Sequence, residues 1–425
     1  MNILKKIGSA LAFPWKHNKV FSIVTTTVMV LLIAVAIVVT QVPLIYLTLN
    51  SVIGDERRVL VSGDPSTAQY YTADEGINNK ADALAYANSV NEELCEEGFV
   101  LLKNDNSLPL ARGAKVSVFG INSADLVYGG SGSAAKDNED NVDLYKSLEN
   151  AGIQYSTALK NFYESKLSEG EGRPDSPAMG ATINGFATGE LALSEYAGGI
   201  EAYTDGCEDA ALMVVSRIGG EGYDLPRTML NTDSDGTTIA GASREAHYLE
   251  LDENEKALLA ELCAEDSPFD NVILILNTST SIELGFLSDG TYGAKLKGAM
   301  WIGLPGGSGV NALGKILTGE VNPSGSLVDT YAADFMSIPS IENFGTFINS
   351  ADQYSYSGYS DLNAYTVNGT PQESHFVEYE EGIYIGYRYF ETRGYTDGEE
   401  WYDANVVYPF GYGLSYTDFE WTIDE

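Results

Sequence analysis

Basic residues are scarce in this 425-residue chain. Lys and Arg number 24 against 61 Asp and Glu, a formal net charge of −37. A surface that acidic repels phosphate backbones, which argues against nucleic acid as the main partner. Histidine is equally thin, with only His17, His247 and His375, and this leaves little material for a His-rich metal site. Cysteine occurs at Cys95, Cys207 and Cys263. That spacing is too wide for a local metal knuckle, and an odd number is not a disulfide framework. No metal site is expected. No Gly-x-Gly-x-x-Gly joins a strand directly to a helix, so a nucleotide-dependent reading fails and no cofactor is called for. Apolar residues make up 44% of the chain, with 27 Tyr and 44 Gly, which is material for a sizeable core and excludes wholesale disorder. The length suits two or three compact units.

The chain opens with Lys5, Lys6, Lys16 and Lys19 and has no acidic residue before Asp55. Residues 20–40 read VFSIVTTTVMVLLIAVAIVVT and carry no charge. At roughly 1.5 Å per residue that run covers a hydrocarbon core of about 30 Å. It exceeds a signal-peptide apolar core, and no small-x-small cleavage site follows closely, so an uncleaved anchor is expected over a removed signal. The lysines keep the N-terminus cytoplasmic and place everything after Pro43 outside the cell. The expectation is a basic leader at 1–19, a transmembrane anchor at 20–41 and a stalk at 42–80. The main domain would then be extracellular on a single-pass plasma-membrane protein.

Beyond the stalk a helical pattern runs from about 80 to 97, with Ala83, Leu84, Ala87, Val90 and Leu94 on one side. Residues 99–102 read as a short strand. Four further apolar runs of strand length follow at 116–120, 211–216, 272–277 and 299–303, with helix-like stretches at 140–151, 253–264 and 310–318. Continuous apolar runs alternating with amphipathic helices predict an α/β fold, a mostly parallel sheet covered by helices on both faces. This unit occupies 81–333. Residues 334–425, rich in Gly, Asn and Tyr, depart from the alternation and are expected to wrap over the sheet.

Open parallel sheets bind ligands at the carboxyl ends of their strands. The loop after 116–120 contains Gly129, Gly130, Ser131, Gly132 and Ser133, whose backbone N–H groups and hydroxyls suit a ligand or, equally, a plain turn. The 211–216 strand runs into Arg217, Glu221 and Asp224 among glycines. A carboxylate there can protonate a leaving group once burial raises its pKa. The plainer alternative pairs Arg217 with Asp224 to brace the loop. Glu283 reads as a cap or brace for the helix that follows it. His247 and His375 read as surface residues, and Cys95 as a buried small hydrophobe. The clustered Tyr384, Tyr387, Tyr389, Tyr402, Tyr408, Tyr412 and Tyr416 suit sugar stacking or, more commonly, packing on the sheet.

The blocks Glu97-Gly-Phe-Val-Leu-Leu-Lys-Asn104, Leu108-Pro-Leu110, Gly129-Gly-Ser-Gly-Ser133 and Ser216-Arg-Ile-Gly-Gly-Glu-Gly-Tyr-Asp224 occur in that order. Trp301-Ile-Gly-Leu-Pro-Gly306, Gly319-Glu-Val-Asn-Pro-Ser-Gly325, Glu381-Gly-Ile-Tyr-Ile-Gly-Tyr-Arg388 and Pro409-Phe-Gly-Tyr-Gly-Leu-Ser-Tyr-Thr417 follow. Together they resemble the α/β sandwich domain of family-three glycoside hydrolases, over about 85–420. The resemblance implies a retaining, exo-acting β-glycosidase of the β-glucosidase or β-xylosidase kind, taking a β-linked oligosaccharide or glycoside. It implies that Glu221 is the general acid/base and that Gly129, Gly130, Ser131, Gly132, Ser133, Arg217 and Asp224 lie at the substrate. In the family the Asp nucleophile comes from a (β/α)8 barrel, a fold of roughly 200 residues or more. These 425 residues leave no room for one, so a barrel further along the chain or on a partner is expected. The order resembles the front of a member with the sandwich domain first, 334–425 leading toward a joining domain. Leu225 stands where the family usually has Arg, and Ser326 and Val328 replace a usual Arg and Pro. The competing expectation is a surface glycan-binding or scaffold protein without catalysis.

Overall fold

The computed structural model of the chain describes residues 18–40, 77, 79–130, 141–173, 187–219, 229, 240–243, 246–346, 366–367, 370–371, 375–418, 420 and 422–423. The chain divides into two compact units, Met1–Gly76 and Ile77–Glu425.

In the first unit the described part is helix α1 (Lys19–Thr40). Asn18 opens it by accepting the Phe21 N–H through its side chain at 3.0 Å, satisfying one of the orphan donors of a helix start. Thr25 folds its hydroxyl back onto the Phe21 carbonyl at 2.7 Å, so the helix carries its polar atoms internally. Val20, Ile23, Leu31 and Leu32 are all exposed. The described side chains of α1 stop at Val35 and Ile37, and among the described residues no helix is long and apolar enough to cross a membrane.

The second unit starts with α2 (Lys80–Gly98), capped by Asn79, which accepts from Ala81 N and Asp82 N. Its packing face differs from the one the apolar pattern selects. Leu84 and Leu94 are 58% and 66% exposed, whereas Asn91, Glu92, Cys95 and Glu96 face inward. Two features turn the helix. Lys315 pairs with Glu92 and Glu96 at 2.6 and 2.5 Å, which are i and i+4 on one side. Gly309 leaves the room that Cys95 fills, since a Cβ there would lie 2.2 Å from its Sγ.

A six-stranded sheet forms the centre. Its strands are β1 (Val100–Asn104), β2 (Lys115–Phe119), β3 (Gln154–Tyr155), β4 (Ala210–Arg217), β5 (Val272–Thr278) and β6 (Leu296–Trp301), in the order β1-β6-β5-β4-β2-β3. All neighbours are parallel except β1, which runs antiparallel to β6. The fold is thus α/β with a mostly parallel sheet. Every residue of β4 and β5 is buried, as continuous apolar runs require when helices cover both faces. Alternation along β4 divides the core. Ala211, Met213 and Val215 join Leu258, Leu259 and Leu262 of α5 (Glu253–Cys263) and Leu159 and Tyr163 of α4 (Thr157–Ser168). Leu212 and Val214 join Leu144 and Leu148 of α3 (Leu144–Asn150) and Leu313, Ile316 and Leu317 of α6 (Val310–Leu317). Each such leucine contributes roughly 1.5–3 kcal/mol by burial.

The remaining chain returns to the sheet. β7 (Tyr331–Ala332) pairs antiparallel with β12 (Val406–Tyr408). Between them lie α7 (Pro339–Glu342), β8 (Phe344–Thr346), β9 (Thr366–Val367), β10 (Thr370–Pro371), β11 (His375–Val377), α8 (Tyr387–Asp397) and α9 (Glu399–Asn405). Beyond β12, Leu414 bridges Leu101 of β1. Tyr412 and Tyr416 donate their hydroxyls to Leu102 O and Ile316 O at 3.1 and 2.9 Å. Those two tyrosines, with the buried Tyr408, pack on the sheet unit; Tyr384 and Tyr387 stay exposed.

Candidate active site

The carboxyl ends of β2, β4, β5 and β6 are tied together by one amide. Asn277, wholly buried at the end of β5, accepts Val127 N at 2.7 Å and donates to Val127 O and Gly303 O at 2.9 and 2.8 Å. Its Oδ1 also accepts from Ser216 of β4 at 3.0 Å. All of its side-chain hydrogen-bonding groups are thereby used on two neighbouring loops and on β4. Beside it, Trp301 donates its indole N–H to Thr278 O at 3.1 Å. This edge is where a parallel sheet binds ligands. The loop after β2 leaves from here through the half-buried Gly129 and Gly130; Ser131, Gly132 and Ser133 lie outside the described residues.

The loop after β4 is held at both roots by one short segment. The Tyr248 hydroxyl accepts Ile218 N at 3.0 Å and its carbonyl accepts Arg217 Nε at 2.7 Å. At the far end, Met229 N donates to Ala246 O at 2.9 Å. Residues 246–248 therefore clamp the two ends of the stretch that carries Glu221 and Asp224. Both of those residues lie outside the described ones.

Arg217 is not available to either partner expected for it. Its side chain is wholly buried. Its guanidinium donates to Tyr248 O, Ser216 O, Glu250 O and both oxygens of Glu255, which commits all three nitrogens. The brace expected from Asp224 is supplied instead by Glu255, whose position in the first turn of α5 faces the end of β4. A substrate contact by Arg217 has no donor left to make it.

Next to this pair lie two buried carboxyls that sequence reasoning missed. Asp252 caps α5, with Glu255 completing a capping box, and it accepts the Thr188 hydroxyl. Glu190 accepts Ile121 N and Leu191 N at 3.2 and 2.9 Å. Burial pushes Glu190 up to about 8, with Glu255 and Asp252 adding to it and the backbone donors opposing. Burial likewise pushes Asp252 up to about 7, and Glu255 adds to the shift. Glu190, Asp252 and Glu255 thus act on one another electrostatically, and Glu255 alone of the three makes the hydrogen bonds to the Arg217 guanidinium. The capping pattern Asp252-x-x-Glu255 is a sequence signal for one half of this cluster. Nothing local marks Glu190, which reaches the site from a distant loop.

Other candidates are placed as follows. Glu283 does not brace the helix after it; its carboxylate accepts Phe335 N at 2.8 Å. It borders a cavity of about 300 Å³ with Lys256 and Tyr292, and burial pushes it up to about 7. His247 is buried rather than superficial, because its Nδ1 accepts Leu249 N at 3.2 Å and so belongs to the clamp. His375 pairs with Thr346 through the backbone in β11. Cys95 is partly buried, and burial followed by Glu92 pushes its thiol up to about 11, which suppresses the nucleophilic thiolate.

The described residues define an α/β domain built on a six-stranded, mostly parallel sheet covered by helices. The sequence profile described as "Glycosyl hydrolase family 3 C-terminal domain" matches residues 99–387, and the chain belongs to glycoside hydrolase family 3. Beta-glucosidase A of Butyrivibrio fibrisolvens is 29% identical over 365 residues, covering 82% of this chain and 38% of that enzyme. A beta-glucosidase structure from Paenibacillus barengoltzii superposes with a TM-score of 0.57 at 27% identity, covering 79% of this chain and 30% of that one. The Thermotoga neapolitana beta-glucosidase 3B structure in complex with glucose gives 0.56 at 26% identity, covering 82% and 41%. The chain thus spans well under half the length of these relatives.

Proposed function

We propose that this chain is the sandwich-domain part of a membrane-anchored, retaining, exo-acting β-glycosidase of the β-glucosidase kind, with Glu221 as general acid/base. The observation that supports the reading is the clamp at 246–248, which holds Ile218 and Met229, the described residues on either side of the stretch that carries Glu221. Gly129, Gly130, Ser131, Gly132, Ser133 and Asp224 border the sugar from the adjacent loops. The nucleophile comes from a (β/α)8 barrel, in the same polypeptide or on a partner; among the described residues the strands form the open six-stranded sheet and three two-stranded pairs. A retaining mechanism then needs the barrel carboxylate about 5–5.5 Å from Glu221 across the scissile bond. On the sequence alone, the uncharged 20–40 run is the segment that holds the enzyme at the plasma membrane. Its basic leader stays inside and the sandwich domain stands outside.

The test uses an epitope-tagged chain recovered from its own cells with whatever it is joined to. The recovered material should hydrolyse aryl β-glucoside or β-xyloside. A Glu221→Gln chain should lose turnover of poorly activated glycosides far more than of substrates with good leaving groups. Equal losses on both substrate classes would sink the acid/base assignment. No turnover by either chain would sink the enzymatic reading in favour of glycan binding.

A further inference from the structure

The Tyr-rich return of the chain carries a cleft of its own. Segments 339–343 and 380–393 enclose a cavity of about 380 Å³, within the size range of small-molecule sites. Its walls bring together Asn343, Glu380, Glu381, Tyr384, Tyr389 and Arg393. None of these belongs to the loops that follow β2, β4, β5 or β6.

The polar groups are held in place before any ligand arrives. Asn343 Nδ2 donates to Glu381 Oε2 at 3.0 Å and holds that carboxyl below the usual carboxylate range. The Arg393 guanidinium lies 4.7 Å from the Trp401 ring centre and 5.7 Å from that of Tyr389, and it donates to the Tyr389 hydroxyl at 3.2 Å. Tyr384 is 47% exposed, so part of an aromatic ring is open beside two carboxylates.

We propose that this cleft binds a neutral saccharide, as a carbohydrate site separate from the Glu221 loop. An open tyrosine ring takes the C–H face of a sugar and sheds water from both. Ionised carboxylates accept from hydroxyls, while the guanidinium and amide donate to them. The wall is balanced in donors and acceptors, which fits a polyol. An anion would meet Glu380 and Glu381 on a chain of net charge −37, while the Arg393 guanidinium is already paired with Asp397. Pro339 and Thr392 complete the lining.

The probe is S-linked cellobiose, which glycosidases do not cleave, titrated calorimetrically into the full chain in a non-glycosidic detergent. Binding should weaken about tenfold, roughly 1.4 kcal/mol, in Tyr384→Ala and in Glu381→Gln, and stay unchanged in Leu94→Ala, an exposed position outside the cleft. Both cleft positions are at the surface, and an unchanged unfolding temperature confirms that each variant is intact. Absence of binding to the wild-type chain overturns the proposal. So does binding that Glu221→Gln abolishes while both cleft variants leave it intact, which would place the sugar at the catalytic edge instead.

Discussion

Arg217 and Glu255 face each other wholly buried, joined by two hydrogen bonds of 2.8 and 2.6 Å. The pair connects the last residue of β4 to the first turn of α5. Its charges cannot be removed singly without consequence.

Glu255→Leu should cost about 3–5 kcal/mol, because it leaves a buried guanidinium unpaired. Adding Arg217→Met should recover part of that loss, giving a coupling of roughly 0.5–3 kcal/mol in a double-mutant cycle read by urea unfolding. Strictly additive losses would show that the two groups do not depend on each other.

The pH dependence follows from Glu190 and Asp252. Their folded pKa values, about 8 and about 7, lie above those of an unfolded chain, near 4.3 and 3.9. The folded state therefore binds more protons between those limits. The stabilisation is complete below about pH 4 and declines as pH rises toward 8, by at most about 1.4 kcal/mol per pH unit for each group. Thermal unfolding across pH 5–8 should show the sandwich domain most stable at the acidic end. Glu190→Gln should flatten the slope; a slope of the opposite sign would rule out neutral buried carboxyls.

Tyr248→Phe removes the hydroxyl that receives Ile218 N and leaves the ring in place. Stability should fall by about 1 kcal/mol, the net worth of one hydrogen bond. In the enzyme recovered from cells, kcat on poorly activated glycosides should fall while KM changes little. Loss of stability without loss of kcat would make the clamp purely structural.

Gly314 tests a close approach of two helices. Alanine there would gain about 1 kcal/mol in helix propensity. Its Cβ, however, would lie 2.5 Å from the Ser147 carbonyl and 2.9 Å from Ala151 Cβ. The nearer obstacle is backbone, so overpacking of about 1–3 kcal/mol should prevail and the variant should unfold more easily. A gain in stability in urea would mean that α3 and α6 can separate freely.

The sheet was legible because burial on both faces leaves long apolar strands, and β4 and β5 are fully buried. β3 and α4 were not, since β3 has two residues and α4 buries only Leu159 and Tyr163. The face of α2 was misread for a different reason. Its orientation is set by Lys315 and Gly309, more than 200 positions away in sequence, and periodicity within the helix carries no information about them. The same limit applies to the site. The Glu221 loop announces itself by local composition, whereas the partners of Arg217 and the position of Glu190 depend on loops meeting across the fold. His247 sat in a polar run and read as superficial, but a backbone N–H to its ring nitrogen makes burial affordable.

The bridge from Leu414 to Leu101 has a consequence for life at high local density. A bare strand at a sheet margin is a template on which another copy can add. Here one margin, β1, is occupied at Leu101 by the chain's own returning segment, and the opposite margin, β3, is only two residues long. Among the described residues, these two margins of the six-stranded sheet thus leave little backbone for another copy to zip onto.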